Sequence, residues 1–163
     1  MTIRTAKETD LPAIVEIYNY EVVHTTASFD MQPKTVEERQ EWFDRHNKNN
    51  HPLLVAECDG EVVGYACLSP YRELEAYAAT VELSIYVKHT HRRRGIATRL
   101  MEALLEMARR DVNTHTVVSV ITHGNTASIA LHERFGFSYG GTLHEVGRKF
   151  GEWLSIDNYE LQV

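Results

Sequence analysis

The sequence predicts an α+β fold, in which a mixed β-sheet carries helices on its faces. Three observations lead to this prediction. Apolar and polar residues alternate from Val81 to Val87, which is the period of a half-buried strand. After Gly95 the apolar spacing becomes helical, as between Ile96 and Leu100. Asp59-Gly60 separates two apolar runs, which is a strong hairpin signal.

The first half of the chain is predicted to combine short strands with two helices. Asp10 is expected to cap a helix whose apolar residues recur at helical spacing. Thr35 and Glu38 fit a capping box that opens a second helix running towards Asn47. Strands are predicted at residues 1–6, 53–57 and 62–68, and loops at residues 24–32 and 70–79.

The second half of the chain is predicted to continue with three more strands and two helices. Asn125 or Thr126 is expected to cap the last helix, which ends at Gly136. No linker, repeat or low-complexity tract interrupts the pattern, so residues 1–163 are predicted to form one domain. After the strand at 81–87, the predicted elements are a helix at 95–110, a strand at 117–121, the capped helix, and strands at 137–143 and 153–161.

The composition is that of a soluble protein with an acidic balance. Hydrophobic residues make up 43% of the chain, charged residues 25%, and the formal net charge is −6. An acidic molecule with one short basic run is a poor candidate for general nucleic-acid binding. No apolar run suits a membrane span or a signal peptide. Cys58 and Cys67 fit no metal or redox motif, and we expect them to be buried, reduced thiols. Reduced thiols are typical of cytosolic proteins, so a cytoplasmic location is expected.

A short basic loop joins the alternating strand to the helix that follows it. This loop, Arg92-Arg93-Arg94-Gly95, leads into a first helical turn that contains the small residue Ala97. The first N–H groups of a helix have no partner within the helix, and small side chains let a ligand approach them. The segment therefore predicts a cradle for phosphate.

Two motifs resemble those of the GNAT superfamily of N-acetyltransferases. Residues 92–97 resemble its Gln/Arg-x-x-Gly-x-Gly/Ala loop, and residues 125–137 resemble its later Asn-x-x-Ala/Ser…Gly-Phe helix. Leu-His-Glu-Arg-x-Gly-Phe at 131–137, with the segments at 141–143 and 146–153, is similar to the phosphinothricin and methionine sulfoximine acetyltransferase subfamily. The resemblance implies the GNAT fold, with about six to seven mostly antiparallel strands in a mixed central sheet and about four flanking helices.

The resemblance also implies acetyl-coenzyme A as the co-substrate. Backbone N–H groups on the central strand, at Ile85, Tyr86 and Val87, would pair with the pantetheine arm and supply the oxyanion donor. Asn125 and Ser128 would hydrogen-bond the arm from the other side, although Asn125 is equally a helix cap. The pyrophosphate would be held by the loop and first helical turn, which comprise Arg92, Arg93, Arg94, Gly95, Ile96, Ala97 and Thr98.

Two titratable residues match catalytic positions of this subfamily. Glu82 occupies the position of the general base that would take a proton from the amine. The alternative for Glu82 is an ordinary exposed strand carboxylate. His132 would be the general acid for the departing thiolate, or a second proton carrier. The alternative for His132 is a core or surface histidine with satisfied hydrogen bonds.

Substrate recognition is predicted on two segments. Arg72 would bind a substrate carboxylate, with Phe29, Tyr71 and Tyr77 shaping the pocket. Leu74 stands where the subfamily has a second arginine. One cation fewer favours a smaller amino-acid-like amine over phosphinothricin itself.

The predicted function is acetyl transfer to the amine of a small amino-acid analogue by a homodimeric enzyme. The alternatives are a protein lysine or N-terminal acetyltransferase, a catalytically silent coenzyme-binding sensor, and an RNA-binding module, which the acidic composition disfavours. No metal site is expected, because neither Cys nor carboxylate lies at ligand spacing from the scattered residues His89, His91, His115, His123 and His144.

Overall fold

A seven-stranded β-sheet forms the centre of the protein in a computed structural model that describes residues 1–163. The strands are β1 (Thr2–Thr5), β2 (Leu53–Cys58), β3 (Glu61–Pro70), β4 (Thr80–Val87), β5 (Thr116–Thr122), β6 (Ser138–Lys149) and β7 (Glu152–Gln162). The α-helices are α1 (Leu11–His24), α2 (Val36–Asp44), α3 (Ile96–Arg110) and α4 (Thr126–Arg134). The α+β prediction is confirmed, as are the expected numbers of strands and helices.

The strand order is β1-β2-β3-β4-β5-β7-β6, and every neighbouring pair is antiparallel except β4 and β5. The parallel pairing of β4 with β5 is short: it starts at Thr80 opposite Thr116 and ends at Glu82 opposite Val118. On its other side, β4 stays paired with β3 as far as Val87. From Leu83 onward, β4 therefore has an edge without a strand partner, and a cleft opens there.

Hydrophobic side chains cover both faces of the first four strands. On one face, Leu54 and Ala56 of β2 pack with the apolar stripe of α3, which includes Leu100 and Leu104. On the other face, Leu53 and Val55 pack with α1 and with partly buried side chains of α2. Burial on both faces explains why β2 and β3 are nearly continuous apolar runs rather than alternating ones. None of the helices is long and apolar enough to span a membrane.

Two of the three predicted helix caps are observed. Thr35 accepts from the Glu38 N–H at 3.1 Å while the Glu38 carboxylate accepts from the Thr35 N–H at 2.7 Å, which completes the capping box. Asn125 Oδ1 accepts from the Ser128 N–H at 3.3 Å. Asp10 stands at the start of α1 but makes no capping bond. Its carboxylate instead accepts from the Arg4 guanidinium at 2.8 and 2.9 Å, which lowers the Asp10 pKa.

The sixth strand is longer than the sequence predicts. The prediction ended it at residue 143, whereas β6 continues to Lys149. The pairing of β6 with β7 shifts register between Leu143 and Gly147, and Glu145 has a φ of 52°. This bulge breaks the alternation of apolar and polar residues, so the second part of the strand carries no clear sequence signal.

Candidate active site

Two adjoining cavities occupy the cleft where β4 and β5 separate. One measures about 350 Å³ and contains Glu82 and Phe29; we call it the Glu82 cavity. The other measures about 530 Å³ and contains Arg92 and Ala97; we call it the Arg92 cavity. The two cavities share the lining residues Ala27, Ile85, Tyr86, Thr122, Asn125 and Ser128. They therefore form one continuous cleft that crosses the sheet at the end of its parallel pairing.

The loop before α3 has the geometry of an anion cradle. Arg93 and Gly95 both adopt positive φ, at 61° and 75°. The backbone N–H groups of residues 93–98 donate to no acceptor in the protein, and no side chain caps the helix. Successive N–H groups in such a turn form a concavity of positive potential at the helix N-terminus. These residues therefore fit the diphosphate of a coenzyme.

Arg92 lies beside this cradle, but its side chain is already paired. Its guanidinium donates to the carboxylate of Glu21, which is buried in α1. Thr25 Oγ1 also donates to Glu21 Oε2, at 2.8 Å. Arg92 thus joins the loop to α1, and the cradle consists of main-chain N–H groups. Glu21 was not among the residues predicted for the site, although an acid three residues after Tyr18 on the apolar side of α1 is a usable sequence signal.

The unpaired edge of β4 faces the cleft from one side and the start of α4 faces it from the other. Ile85, Tyr86 and Val87 line the Arg92 cavity, where β5 no longer pairs with β4. Asn125 and Ser128 lie across the cleft from them. The Asn125 oxygen is occupied by the helix cap, and its NH₂ group remains available to a ligand. The cleft therefore offers hydrogen-bonding groups on both sides to an extended chain.

Glu82 is the acidic side chain of the smaller cavity. It makes no ion pair or hydrogen bond with another side chain, and burial raises its pKa above the ordinary value. Burial without a cationic partner favours the neutral form of a carboxyl group, which makes its carboxylate a stronger base. A carboxylate with a raised pKa that faces a cavity is a candidate proton acceptor for a ligand bound there.

His132 lies outside both cavities. Its side chain is buried, with only 1% of the residue exposed. Nδ1 is 2.7 Å from the Ser128 carbonyl oxygen and Nε2 is 2.7 Å from Ser119 Oγ. Burial lowers the pKa of His132. The structure therefore gives His132 the surroundings of a core histidine with satisfied hydrogen bonds, because its two ring nitrogens face groups of α4 and β5.

Ser119 extends this contact to the central strand. Its hydroxyl lies 3.3 Å from the Leu83 carbonyl oxygen, directly after the last parallel pair of β4 and β5. His132 and Ser119 thus connect α4, β5 and β4, which are three walls of the cleft. This arrangement suits a residue that positions the cleft rather than one that exchanges a proton in it.

The residues predicted to bind substrate are divided between two places. Phe29 lines the Glu82 cavity. Tyr71, Arg72 and Tyr77 form a cluster on the loop after β3, with the Arg72 guanidinium carbon 5.2 Å from the centre of one ring and 5.7 Å from the other. None of these three lines either cavity. Leu74, on the same loop, is exposed.

The far strand of the sheet fixes the loop that carries Phe29. Lys149, at the end of β6, is buried and donates from Nζ to the Ser28 carbonyl oxygen at 2.6 Å. A Cβ atom added at Gly147 would lie 2.6 Å from the Phe29 ring, so that ring requires a residue without a side chain beneath it. These contacts join residues more than a hundred positions apart in the sequence, so no local sequence pattern predicts them.

Comparisons with known proteins agree with this geometry. The profile of the acetyltransferase (GNAT) family matches residues 14–137. An L-methionine sulfoximine/L-methionine sulfone acetyltransferase of Pseudomonas paraeruginosa is 42% identical, over 99% of this chain and 94% of that protein. A phosphinothricin N-acetyltransferase of Streptomyces coelicolor is 39% identical, over 97% of this chain and 94% of that protein.

A solved structure gives the same result for the fold. A putative acetyltransferase from Salmonella typhimurium, determined with its cofactor acetyl-CoA, superposes with a TM-score of 0.95 at 38% identity. The match covers 99% of this chain and 93% of that one. The resemblance predicted from the two sequence motifs is confirmed, and the chain belongs to the acetyltransferase (GNAT) family.

Proposed function

We propose that this protein transfers the acetyl group of acetyl-CoA to the amino group of a small amino-acid-like substrate, of the phosphinothricin or methionine sulfoximine type. The observation that carries the proposal is the position of Glu82. Its half-buried carboxylate lies in a small cavity that adjoins, through the free edge of β4, a second cavity ending in a cradle of unpaired N–H groups. Relatives whose names state this activity support the choice of substrate.

In this mechanism the chain binds acetyl-CoA with main-chain groups. The N–H groups of residues 93–98 hold the diphosphate, and the edge of β4 at Ile85–Val87 pairs with the extended arm as an added strand would. Asn125 and Ser128 fix the arm from the side of α4. Acetyl-CoA, when bound, would supply the activated acetyl thioester.

Glu82 then prepares the amine for attack. A free α-amino group has a pKa of about 8 and is mostly protonated at neutral pH, so it needs a base before it can act as a nucleophile. Glu82 accepts this proton directly or through a water molecule. A β4 backbone N–H group would stabilise the negative charge that develops on the carbonyl oxygen. As the new C–N bond forms, the C–S bond would break, and coenzyme A would leave as a thiolate that takes up a proton released by the amine, through Glu82 or water. His132 holds α4 and β5 in position at the cleft and takes no proton.

The size of the Glu82 cavity supports a small amine. A volume of about 350 Å³ is sufficient for an amino acid. Arg72 remains our proposed partner for the substrate carboxylate. It is exposed on the loop that begins after Pro70, the residue next to Ser69, which is the cross-strand neighbour of Glu82.

We further propose a cytoplasmic homodimer. Apolar side chains that are more than half exposed occur along the hairpin of β6 and β7 at the edge of the sheet, and a second copy of the chain packed on this edge would cover part of them. These residues are Leu143, Val146 and Trp153, with Phe150 in the turn between the strands. The two cysteines are free, which suits a reducing compartment.

The test is release of free thiol from acetyl-CoA with a panel of amines. Methionine sulfoximine, methionine sulfone and phosphinothricin form one arm, and a lysine-containing peptide with a free N-terminus forms the other. Turnover in the first arm alone supports the proposal. Turnover with the peptide alone would make the protein a lysine or N-terminal acetyltransferase. Coenzyme binding without any turnover would make it a sensor.

A further inference from the structure

A histidine–aspartate pair on the wall of the Arg92 cavity has no part in the chemistry described above. His123 Nδ1 lies 3.0 Å from both carboxylate oxygens of Asp157. The aspartate side chain is 5% exposed, whereas the histidine side chain is 64% exposed. Thr142 Oγ1 donates to the same carboxylate at 2.6 Å. A buried acid therefore orients an accessible imidazole.

The backbone also fixes the position of His123. The residue lies between β5 and α4, and its N–H group donates to the Ser155 carbonyl oxygen at 2.9 Å. Because Nδ1 faces Asp157, the imidazole is held by one edge. Nε2, on the other edge, has no partner in the protein, and His123 lines the Arg92 cavity. Among the scattered histidines that gave no metal motif, His123 is the one that faces this cleft.

The charges around the Arg92 cavity suggest a role for His123 and Asp157 in binding an anionic ligand. Burial tends to raise the pKa of Asp157, but the bonds from Thr142 and His123 outweigh it, so the pKa is lowered and the group is a carboxylate. A lone carboxylate behind this wall would repel a phosphate-bearing ligand. Two other charged residues line the cavity, Glu21 and Arg92, and they form an ion pair with each other. His144 of β6 also helps to lower the pKa of Asp157.

We propose that His123 is a coenzyme-binding residue whose imidazolium form donates from Nε2 to a phosphate oxygen of the bound coenzyme, and that Asp157 is its positioning residue. The proposal rests on the proposed function. His123 shares its cavity with the N–H cradle and is absent from the Glu82 cavity, which assigns it to the phosphate-bearing ligand rather than to the amine. Coenzyme affinity should accordingly rise as the pH is lowered, because only the imidazolium form of a histidine donates from both ring nitrogens.

The experiment is calorimetric titration with coenzyme A between pH 5.5 and 8.5. The proteins are the unaltered chain, His123→Ala, His123→Gln, Asp157→Asn, and the double variant His123→Ala with Asp157→Asn. His115→Ala is the matched control, because His115 is an exposed histidine at the other end of β5. Ionisation of the coenzyme itself is the same in every titration and cancels in the comparison.

At pH 6 we expect His123→Ala to weaken binding about tenfold, the effect of losing one hydrogen bond from a charged donor. In this variant the affinity for coenzyme A should also depend less on pH than it does in the unaltered protein. The double variant should bind more tightly than His123→Ala alone, because the unpaired carboxylate has been removed. His115→Ala should match the unaltered protein throughout.

Equal affinity of His123→Ala and the unaltered protein across the pH range would overturn the inference while leaving the proposed function intact. A double variant no tighter than His123→Ala would overturn the role assigned to Asp157. Failure of the unaltered protein to bind coenzyme A would overturn the proposed function and this inference with it.

Discussion

The two cavities of the cleft differ in how the chain builds them. The Arg92 cavity takes its anion cradle from main-chain N–H groups of one contiguous strand, loop and helix. The Glu82 cavity takes its walls from side chains that distant segments deliver, such as Phe29 from the loop after α1 and Ile156 from β7. A backbone site depends on local conformation and tolerates many side chains, whereas a side-chain site depends on long-range packing. The same molecule can therefore keep its coenzyme while its amine specificity changes.

Loss of the carboxylate in the Glu82 cavity should have the largest effect. Glu82→Gln keeps the shape of the cavity but removes the base, so kcat should fall by roughly 10²-fold or more. Coenzyme affinity should stay unchanged, because it resides in the other cavity. Because burial raises the pKa of Glu82, the activity of the unaltered enzyme should rise with pH through a value above the ordinary carboxyl range. Steady-state kinetics across pH test this.

Glu106→Gln is a suitable control, since Glu106 lies on the exposed face of α3. An unchanged pH–rate curve in Glu82→Gln would remove Glu82 from the mechanism.

The second prediction concerns the backbone of the cradle. A β-branched residue at Gly95 must adopt a φ near 75°, which costs about 1–2 kcal/mol or displaces the N–H groups. Gly95→Val should therefore raise the Kd for acetyl-CoA about tenfold, whereas Arg93→Ala should change it about threefold or less. Calorimetry of both variants tests this order.

Gly60→Val is the matched control, because Gly60 also has a positive φ but lies in the β2–β3 turn. It should lose stability without losing coenzyme affinity. Normal coenzyme binding by Gly95→Val would refute the main-chain cradle.

The third prediction concerns the support of the Phe29 loop. Lys149→Met keeps the length of the side chain but removes the 2.6 Å bond to the Ser28 carbonyl. Loss of one buried hydrogen bond of this kind should raise the KM for the amine about fivefold and leave the Kd for acetyl-CoA unchanged. The exposed Lys48, replaced by Met, serves as control. An equal rise in the KM for the amine and the Kd for acetyl-CoA would show that the two cavities are not built independently.

The smallest expected effect is a change in the pH dependence of stability in His132→Gln. Burial lowers the pKa of His132, so the unfolded chain binds a proton more readily than the folded one. Stability should therefore fall as the pH drops below about 6.5, the unperturbed value. His132→Gln should reduce that slope only in part, because burial also lowers the pKa of His46 and His51. Urea unfolding at pH 7 and pH 5 measures the difference.

Kinetics of the same variant sharpen the comparison. A positioning residue predicts a kcat–pH curve of unchanged shape in His132→Gln. Loss of one limb of that curve in His132→Gln would indicate that His132 acts as the general acid.

The sequence predicted the elements and the coenzyme side far better than the amine side. Periodicity and the hairpin signal located the strands, and the loop at Gly95 is a local conformation that its own residues specify. The opposite wall could not be found in this way, because the contacts of Lys149 with Ser28 and of Gly147 with Phe29 join segments far apart in the chain. The role expected of His132 also depended on three-dimensional surroundings, since a motif does not reveal which ring nitrogens are already bonded.

The brief pairing of β4 with β5 has a thermodynamic consequence. In the proposed complex, an extended ligand arm laid along Ile85–Val87 would act as an added strand beside the part of β4 that β5 leaves unpaired. Ligand that binds only the folded state raises the free energy of unfolding by mass action, and the melting temperature should climb with coenzyme concentration. The amides of residues 85–87 should then exchange with deuterium slowly when coenzyme is present and rapidly when it is absent.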